Sequence, residues 1–333
     1  MKADVLDKSI TRLIAAQIPV FVWGSPGIGK SSIIREVATK QGLACIDLRL
    51  SLLDPTDLKG IPFFDPQENE AVWAAPSFLP KDPESRGILF LDEINTAPPS
   101  VQASAYQLVL DRKVGEYSLP EGWSIVAAGN HESDRGVIYR MPPPLANRFV
   151  HLELEVDLEA WKLWAYRHAI ESSVIAFLQY APEWLFRFEP AANHKSFPTP
   201  RSWEYVSKIL ATDIERTLLL ENLSGAVGAE AAVAFMAFRK VMERLPDIDA
   251  LLRGESVEVA DDQELLFALV TGIISRLGCT EESRAVDHAL RFSMTLPKEF
   301  SVMLVKDMQQ HGIAVERSAV WEQWVEAFAY LLE

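Results

Sequence analysis

The stretch Gly24-Ser25-Pro26-Gly27-Ile28-Gly29-Lys30-Ser31 decides the fold of this chain, because it fits G-x-x-x-x-G-K-[ST] at every fixed position. The apolar run Val20–Trp23 precedes it, and a helical pattern follows from Ser32. Glycines let the backbone curl until successive N–H groups face one anion, and a helix N-terminus adds partial positive charge. The stretch therefore predicts a phosphate-binding loop between a strand and a helix, with a simple Gly-rich turn as the alternative.

Residue types within this loop indicate separate roles. We expect Lys30 to reach the β- and γ-phosphates of a nucleoside triphosphate, and the Ser31 hydroxyl to ligate Mg²⁺. The guanine-reading pattern N-K-x-D is absent, since residues 130–133 read Asn-His-Glu-Ser, so ATP is the favoured nucleotide. The residues predicted to bind it are Gly24, Ser25, Pro26, Gly27, Ile28, Gly29, Lys30, Ser31 and Ser32.

Composition narrows the class of protein. A length of 333 residues suggests about two domains, and 49% apolar with 24% charged residues is typical of a globular chain. The net charge of −15 disfavours generic nucleic-acid binding, because neutralising phosphates needs clustered Lys and Arg. Two distant cysteines and no metal-ligand spacing argue against zinc sites and disulfide frameworks. No signal segment or membrane span is expected, so we predict a cytoplasmic protein.

The organisation of the chain changes near its middle. Short apolar runs alternate with helical stretches in the first half, which predicts a parallel sheet covered by helices on both faces. After about Val150 only helical periodicity remains. We therefore expect an α/β nucleotide-binding domain over 1–153 and an all-helical region over 154–333. The predicted strands are Val20–Trp23, Leu43–Leu48, Ile88–Leu91 and Ser124–Ala128.

A second motif ends the third of these strands. Gly87–Leu91 leads directly into two adjacent carboxylates, Asp92 and Glu93. Asp92 is expected to hold the Mg²⁺ shell, and Glu93 to orient or deprotonate the attacking water. The alternative is that Asp92 caps a helix over Asn95–Val109. Together with the phosphate loop, the two acids favour hydrolysis over transfer to a bound acceptor.

The order of motifs resembles the AAA+ ATPases of the MoxR type over roughly residues 5–212. After the phosphate loop and the acidic strand end, Ile125–Asn130 is similar to the sensor-1 strand. Pro144–Phe149 resembles the segment that carries the arginine finger, and Thr199–Arg201 the start of the sensor-2 helix. The resemblance implies a P-loop AAA+ fold, an α/β parallel sheet flanked by helices, followed by an all-α lid domain.

Two insertions place the chain in the clade with a helix-2 insert and a pre-sensor-1 insert. Residues from about 57 to 74 resemble the first hairpin, and those from about 112 to 120 the second. Two positions depart from many relatives: His131 follows the sensor-1 Asn where Pro is common, and Asn147 precedes the finger Arg where Asp is common. Neither departure removes a reacting group.

Three later residues acquire roles from this resemblance. Asn130 would hold the attacking water, although a strand-end Asx turn is the alternative. Arg148 would reach the γ-phosphate of a neighbouring subunit, unless it pairs with a local acid. Arg201, in the first turn of a helix capped by Thr199, would sense the γ-phosphate, with a plain surface arginine as the alternative.

The implied protein is a ring-forming, ATP-driven remodelling ATPase, hexameric in the family, with ATP and Mg²⁺ as cofactors. Relatives act on a protein client, often with a partner that bears a von Willebrand A domain. Alternatives are a nucleic-acid motor of the same clade and a nucleotide-gated scaffold with little turnover. Arg140 and Arg135 also lie near the finger segment, and either is an alternative candidate for the finger or for a helper to it. The client and the role of residues 213–333 have no signature in the sequence.

Overall fold

The computed structural model describes residues 1–67, 69–134, 139–190, 194–278, 283–328 and 330. The chain divides into two compact units. The first is built from Met1–Asp157, and the second from Leu158–Glu189 and most of the chain that follows.

Strands among the described residues all lie in the first unit. They are β1 (Val20–Trp23), β2 (Ala44–Arg49), β3 (Ile61–Asp65), β4 (Glu70–Ala74), β5 (Gly87–Asp92), β6 (Lys113–Val114), β7 (Tyr117–Ser118), β8 (Trp123–Gly129) and β9 (Val150–Glu153). Five of them form one parallel sheet in the order β2-β5-β8-β1-β9. This confirms the predicted parallel α/β sheet.

The helices of the first unit cover both faces of the sheet. They are α1 (Ala3–Ala15), α2 (Lys30–Lys40), α3 (Pro55–Lys59), α4 (Pro99–Asp111) and α5 (Pro143–Ala146). Alternate strand residues point to opposite faces, so Val20 and Val22 pack with α1 and α2, while Phe21 packs on the side of α4. Because both faces are buried, the central strands are apolar without alternation.

Two antiparallel hairpins project from this sheet. β3 pairs with β4, with Phe63 opposite Val72, and β6 pairs with β7. Each hairpin lies within one of the two segments that the sequence marked as an insertion. The first is exposed over most of its length.

All the regular secondary structure in the described part of the second unit is helical. Its helices are α6 (Leu158–Arg167), α7 (Ser172–Tyr180), α8 (Pro200–Leu210), α9 (Arg216–Val227), α10 (Ala229–Met242), α11 (Ile248–Leu252), α12 (Gln263–Leu277), α13 (Ser283–Ser293), α14 (Lys298–Gln310) and α15 (Trp321–Phe328). One core gathers around Trp324 between α12 and α15. A set of aromatic side chains, in which Phe177 contacts Trp203 and Phe235, joins α7, α8 and α10.

The edge strand β9 differs from the sequence-based expectation. Val150–Glu153 was assigned to the region where the strand pattern stops, yet it pairs in parallel with β1. Three of its four residues are exposed and one is half-buried, so it lacks the continuous apolar run of a central strand. Strand β2 also begins one residue later than expected and extends to Arg49.

In the part of the chain that the structure describes, no helix combines the length and apolar character needed to cross a membrane.

Candidate functional site

Three strands deliver polar side chains to one edge of the sheet. β1 ends at Trp23 and β8 at Gly129, which lie opposite each other in the parallel register. β8 lies between β1 and β5, and β5 ends at Asp92. Since parallel strands end at the same edge, the phosphate loop after β1, the acids after β5 and Asn130 after β8 come together.

Lys30 lies at the centre of this cluster. It begins α2, and its side chain is almost fully buried. The ammonium donates to the carbonyl oxygens of Gly24 at 2.6 Å and Ser25 at 3.0 Å, and to Asn130 Oδ1 at 2.9 Å. The amine therefore lies between the loop and the end of β8, where a bound anion would meet both.

Ser31 and Asp92 form a second contact. Ser31 Oγ donates to Asp92 Oδ2 at 2.9 Å, and Asp92 is buried. Burial raises the pKa of Asp92, and the hydrogen bond from Ser31 opposes that rise. A hydroxyl and a carboxylate side by side are hard oxygen ligands of the kind Mg²⁺ uses, usually one or two from protein with phosphate and water supplying the rest.

No larger metal centre competes with that interpretation among the described residues. No group of three or more His, Cys, Asp or Glu side chains there could hold a metal ion by itself. The donor set at Ser31 and Asp92 therefore fits a magnesium ion that shares its shell with phosphate oxygens.

Glu93 is held by residues that the sequence did not single out. Its carboxylate accepts a hydrogen bond from Ser51 Oγ and lies 3.9 Å from Nε of Arg49. Arg49 is the last residue of β2 and lies opposite Asp92 in the parallel register. Ser51 lies in the short 3₁₀ turn that follows β2. Glu93 also has a φ of 57°, a left-handed conformation that is uncommon for residues other than glycine.

Asn130 is fixed by a buried neighbour, Asn95. Asn95 Nδ2 donates to the carbonyl oxygen of Asn130 at 2.7 Å, and its Oδ1 accepts from Asn130 N–H at 3.3 Å. Gly129 makes room for this pair, because a Cβ there would lie 2.3 Å from Asn95 Oδ1. The backbone after β8 is thereby locked, and the Asn130 side chain is left facing Lys30.

The phosphate loop keeps the conformation that its glycines allow. Gly29 has a φ of 102° at the start of α2, where a side chain would be strained. A Cβ on Gly24 would lie 3.1 Å from the carbonyl oxygen of Leu154. Ser25 Oγ contacts Asp134 Oδ1 at 3.4 Å. The other predicted nucleotide-binding residues are half-buried or exposed along the same loop: Pro26, Gly27, Ile28 and Ser32.

The predicted finger, Arg148, follows the short helix α5 and is exposed. Its guanidinium makes no hydrogen bond or ion pair with any residue that the structure describes. Arg140 is exposed as well. Arg135 lies outside the described residues.

Arg201 belongs to the second unit, in the first turn of α8. Thr199 is the N-cap, its hydroxyl accepting from Ser202 N–H at 3.0 Å, and Pro200 is the first helical residue. The Arg201 side chain is exposed. The helix start therefore has the local form that the sequence predicts.

The alternative role considered for Asp92 does not hold. The helix after β5 begins at Pro99, with Pro98 at its N-cap, and not at Asn95. Asp92 Oδ1 accepts from the N–H of Glu93 at 3.0 Å, and its other oxygen faces Ser31.

Sequence reasoning missed three residues of the site: Arg49, Ser51 and Asn95. The first two lie about 40 residues before Glu93, and only the pairing of β2 with β5 brings them together. Asn95 had no signal in the sequence beyond its place two positions after Glu93, and only the structure shows that it is buried, at 2% exposed.

Comparison with known proteins finds a family that is similar to the part of the chain that forms this site. Residues 19–151, less than half of the chain, match the family described as "ATPase family associated with various cellular activities (AAA)". The matched segment contains the phosphate loop, the acidic strand end, Asn130 and Arg148, and it has the parallel sheet reported above. This part of the chain is similar to the ATPase domains of that family.

Individual relatives are distant. Midasin of Giardia intestinalis is 28% identical over 155 residues, which is 44% of this chain and only 3% of midasin. NtrX of Brucella abortus, solved with ADP, is 15% identical with a TM-score of 0.42, covering 93% of this chain and 68% of its own. The Holliday junction branch migration motor RuvB of Thermotoga maritima is 18% identical with a TM-score of 0.39. The match covers 80% of this chain and 80% of RuvB. At such scores these structures do not bear on activity.

Proposed function

We propose that this protein hydrolyses ATP to ADP and phosphate at the site described above, because residues 19–151 match the family of AAA ATPases. The observation that carries the proposal is the double contact at the sheet edge: Lys30 with Asn130 at 2.9 Å, and Ser31 with Asp92 at 2.9 Å. A phosphate-binding cation, a polar amide and a hydroxyl–carboxylate pair thus converge on one place.

Each group has a defined task in this reaction. The loop N–H groups and Lys30 bind the β- and γ-phosphates and stabilise their charge. The Asn130 amide orients a water molecule toward the γ-phosphorus, and the Glu93 carboxylate takes its proton as the bond to the ADP oxygen breaks. To reach that water, the Glu93 carboxylate has to break the hydrogen bond that it accepts from Ser51.

Magnesium fits the donor set of Ser31 and Asp92. When bound there, it would neutralise charge on the β- and γ-phosphate oxygens. The protein supplies the two oxygen ligands, and burial of Asp92 keeps that carboxylate from turning freely into solvent.

The site is completed by a second subunit in this proposal. Arg148 is exposed, and its guanidinium makes no hydrogen bond or ion pair with a described residue, as a guanidinium offered to a neighbour would be. A cation at the neighbour's γ-phosphate stabilises charge in the transition state and is worth orders of magnitude in rate. Hydrolysis would then require a homo-oligomeric ring, hexameric by family resemblance. Arg201 would bind the γ-phosphate from the helical unit.

A protein client is the favoured substrate of the remodelling activity, and MoxR-type chaperones are the closest functional analogy. The β3–β4 hairpin supports it: Ile61, Phe63 and Phe64 are each more than half exposed. Exposed apolar clusters of this kind mark sites of interaction with other proteins. The charge of −15 disfavours a nucleic-acid track. A von Willebrand A domain partner rests on family resemblance alone.

The reaction is tested with the isosteric variant Glu93→Gln. We expect it to bind ATP with unchanged affinity and to release phosphate at least about a hundredfold more slowly, because the amide cannot accept the proton. Fluorescent-nucleotide titration and a phosphate-release assay measure the two properties. Unchanged turnover in Glu93→Gln would exclude Glu93 as the base. A wild-type protein that does not bind ATP would contradict the proposal as a whole.

The shared site is tested by mixing two inactive variants. Arg148→Ala keeps an intact site without a finger, whereas Glu93→Gln keeps the finger without hydrolysis. Mixed assemblies should regain activity at Arg148→Ala sites that face a Glu93→Gln neighbour. No recovery at any ratio would contradict a finger acting between subunits.

A double substitution, Phe63→Ser with Phe64→Ser, tests the client surface. We expect basal ATP hydrolysis to be kept and retention of a client on the ATP-bound Glu93→Gln background to be lost. Gel shifts with DNA at low salt test the alternative, and tight salt-sensitive binding would favour a nucleic-acid motor instead.

A further inference from the structure

His151 links two segments that the reaction uses separately. Its Nδ1 lies 2.9 Å from Trp23 Nε1, and its Nε2 lies 2.8 Å from the carbonyl oxygen of Ala146. Trp23 is the last residue of β1, directly before the phosphate loop. Ala146 is the last residue of α5, two positions before Arg148. One side chain therefore bridges the loop-bearing strand and the finger-bearing segment.

The two partners fix the state of the imidazole. An indole nitrogen only donates, so Nδ1 of His151 has to accept. A carbonyl oxygen only accepts, so Nε2 carries the proton and donates to Ala146. The bridge thus requires the neutral ring in a single tautomer, with both nitrogens engaged.

Aromatic rings hold the imidazole in this orientation. The His151 ring lies nearly parallel to Trp23, with centroids 6.0 Å apart at 22°, and contacts Phe21 and Phe149 at 5.6 and 6.4 Å. Phe21 is also the residue opposite His151 in the register of β1 and β9. The ring is exposed on its outer side, yet its two hydrogen-bonding edges are turned toward the protein.

Besides His151, the segment that carries Arg148 is restrained by two buried side chains and by the strand that follows it, since Val150 N–H donates to the carbonyl oxygen of Pro19 at 2.9 Å. α5 is a single turn of four residues that follows Pro142. Leu145 and Phe149 anchor it by burial. Backbone hydrogen bonds within the turn, from Arg148 N–H to Leu145 O and from Phe149 N–H to Ala146 O, do not tie it to the sheet. The bond from His151, which lies in strand β9, adds a side-chain link from the sheet to the end of α5 itself.

We propose that His151 is a positioning residue for Arg148. By bonding Ala146 on one side and Trp23 on the other, it sets the place of the finger-bearing turn relative to the strand that leads into the phosphate loop. This inference rests on the proposed function, since it assumes that Arg148 acts on a neighbouring site. In this proposal His151 acts through Arg148 and not on the nucleotide itself.

The mixing experiment separates this role from a role in the subunit's own site. In that mixture, Glu93→Gln donates the finger and Arg148→Ala accepts it. We expect His151→Phe, which keeps a ring but loses both hydrogen bonds, to lower the recovered kcat about tenfold or more when it is placed in the donor. The same change in the acceptor should leave the rate within about twofold, and the KM for ATP should not change in either case.

Two further variants keep the test independent of folding. His151→Gln retains an amide N–H near the position of Nε2 and should restore part of the donor activity. Trp23→Phe keeps an aromatic ring but removes the indole N–H together with part of the ring surface, and should weaken the donor in the same direction as His151→Phe. The matched control is His168→Phe, because His168 also stacks on a tryptophan, Trp164 at 4.5 Å, and bonds its carbonyl oxygen. The control should have no effect in the donor.

Other results would overturn the inference. Equal loss in donor and acceptor, loss in the acceptor alone, or full activity of the His151→Phe donor would each exclude a role in placing Arg148. If the parent mixture shows no recovery before any change at His151, the finger itself is disproved and the positioning role falls with it. The parent mixture is measured first, so the two failures are distinguishable.

Discussion

The side chain of Glu93, the proposed base, is held by contacts with neighbouring residues, whereas a carboxylate that activates water has to be free to move. Ser51 donates to one of its oxygens, Arg49 lies near the other, and the backbone at Glu93 has a positive φ of 57°. Strained, non-glycine conformations of this sort cluster at functional sites. The contacts with the end of β2 therefore oppose the movement that the proposed reaction needs.

Ser51→Ala is predicted to raise basal ATP hydrolysis. The substitution removes a hydrogen bond that holds Glu93 away from the water, and one such bond is worth about 1 kcal/mol net. The expected increase in kcat is about fivefold, with unchanged ATP affinity. Steady-state phosphate release measures it, with Ser31→Ala as a contrasting serine variant that should lower the rate. A drop in kcat for Ser51→Ala would mean that Ser51 supports the reactive position.

Tyr117 gives a prediction about pH. Its hydroxyl donates to the carbonyl oxygen of Pro80 at 2.7 Å, and burial raises the pKa of Tyr117 to about 12, with Arg112 opposing the rise. The pKa of Tyr117 in the folded protein lies above the ordinary tyrosine value near 10. The stabilisation that the protonated Tyr117 hydroxyl gives the folded state is therefore complete below pH 10. It is lost as the pH rises through 12. Tyrosinate absorbance of the wild type minus that of Tyr117→Phe should show this late titration, and a component near 10 would contradict it.

At the level of helices, the second unit is joined by a buried polar chain. Lys162 on α6 donates to Asp307 on α14 at 2.7 Å, and Gln179 on α7 donates to the other Asp307 oxygen at 3.0 Å. Thr271 on α12 donates to Gln179 Oε1 at 2.6 Å. Four helices thus share one network in which every member is buried. Burial raises the pKa of Asp307, and Lys162 counteracts it.

Breaking this network from one side should destabilise the second unit strongly. Lys162→Met leaves the Asp307 carboxylate buried without its cation, and the expected loss is about 3–5 kcal/mol. Adding Asp307→Leu should recover much of that loss, because both charges are then gone. Urea unfolding followed by tryptophan fluorescence measures the difference. If Lys162→Met is as stable as the wild type, the pair of Lys162 and Asp307 does not contribute to the free energy of unfolding.

At the level of the whole molecule, the exposed Arg148 leads to a prediction about assembly. If the finger acts between subunits, specific ATPase activity should rise with protein concentration and then level off, since only assembled sites turn over. Arg148→Ala should stay low at every concentration while binding nucleotide normally. Sizing by light scattering across the same range provides the comparison. Constant specific activity in a monomer would contradict a shared site.

Much of the nucleotide site could be predicted along the chain. The loop from Gly24 to Ser31, the acids after β5 and Asn130 after β8 each follow an apolar run directly, so local sequence fixes both the strand and the group at its end. The start of α8 is equally local, because Thr199, Pro200 and Ser202 form the cap among themselves. The edge strand β9 was missed for the converse reason: its residues are largely exposed and carry no buried pattern.

The sequence by itself determined which chemical groups stand at the ends of the strands, since motif and strand are contiguous in the chain. Only the tertiary structure decided what holds those groups. Ser51 reaches Glu93 because β2 lies beside β5, Asn95 fits against Gly129 because that residue has no side chain, and His151 spans Trp23 and Ala146 because β9 pairs with β1. Contacts across parallel strands join residues distant in sequence, and no local pattern encodes them.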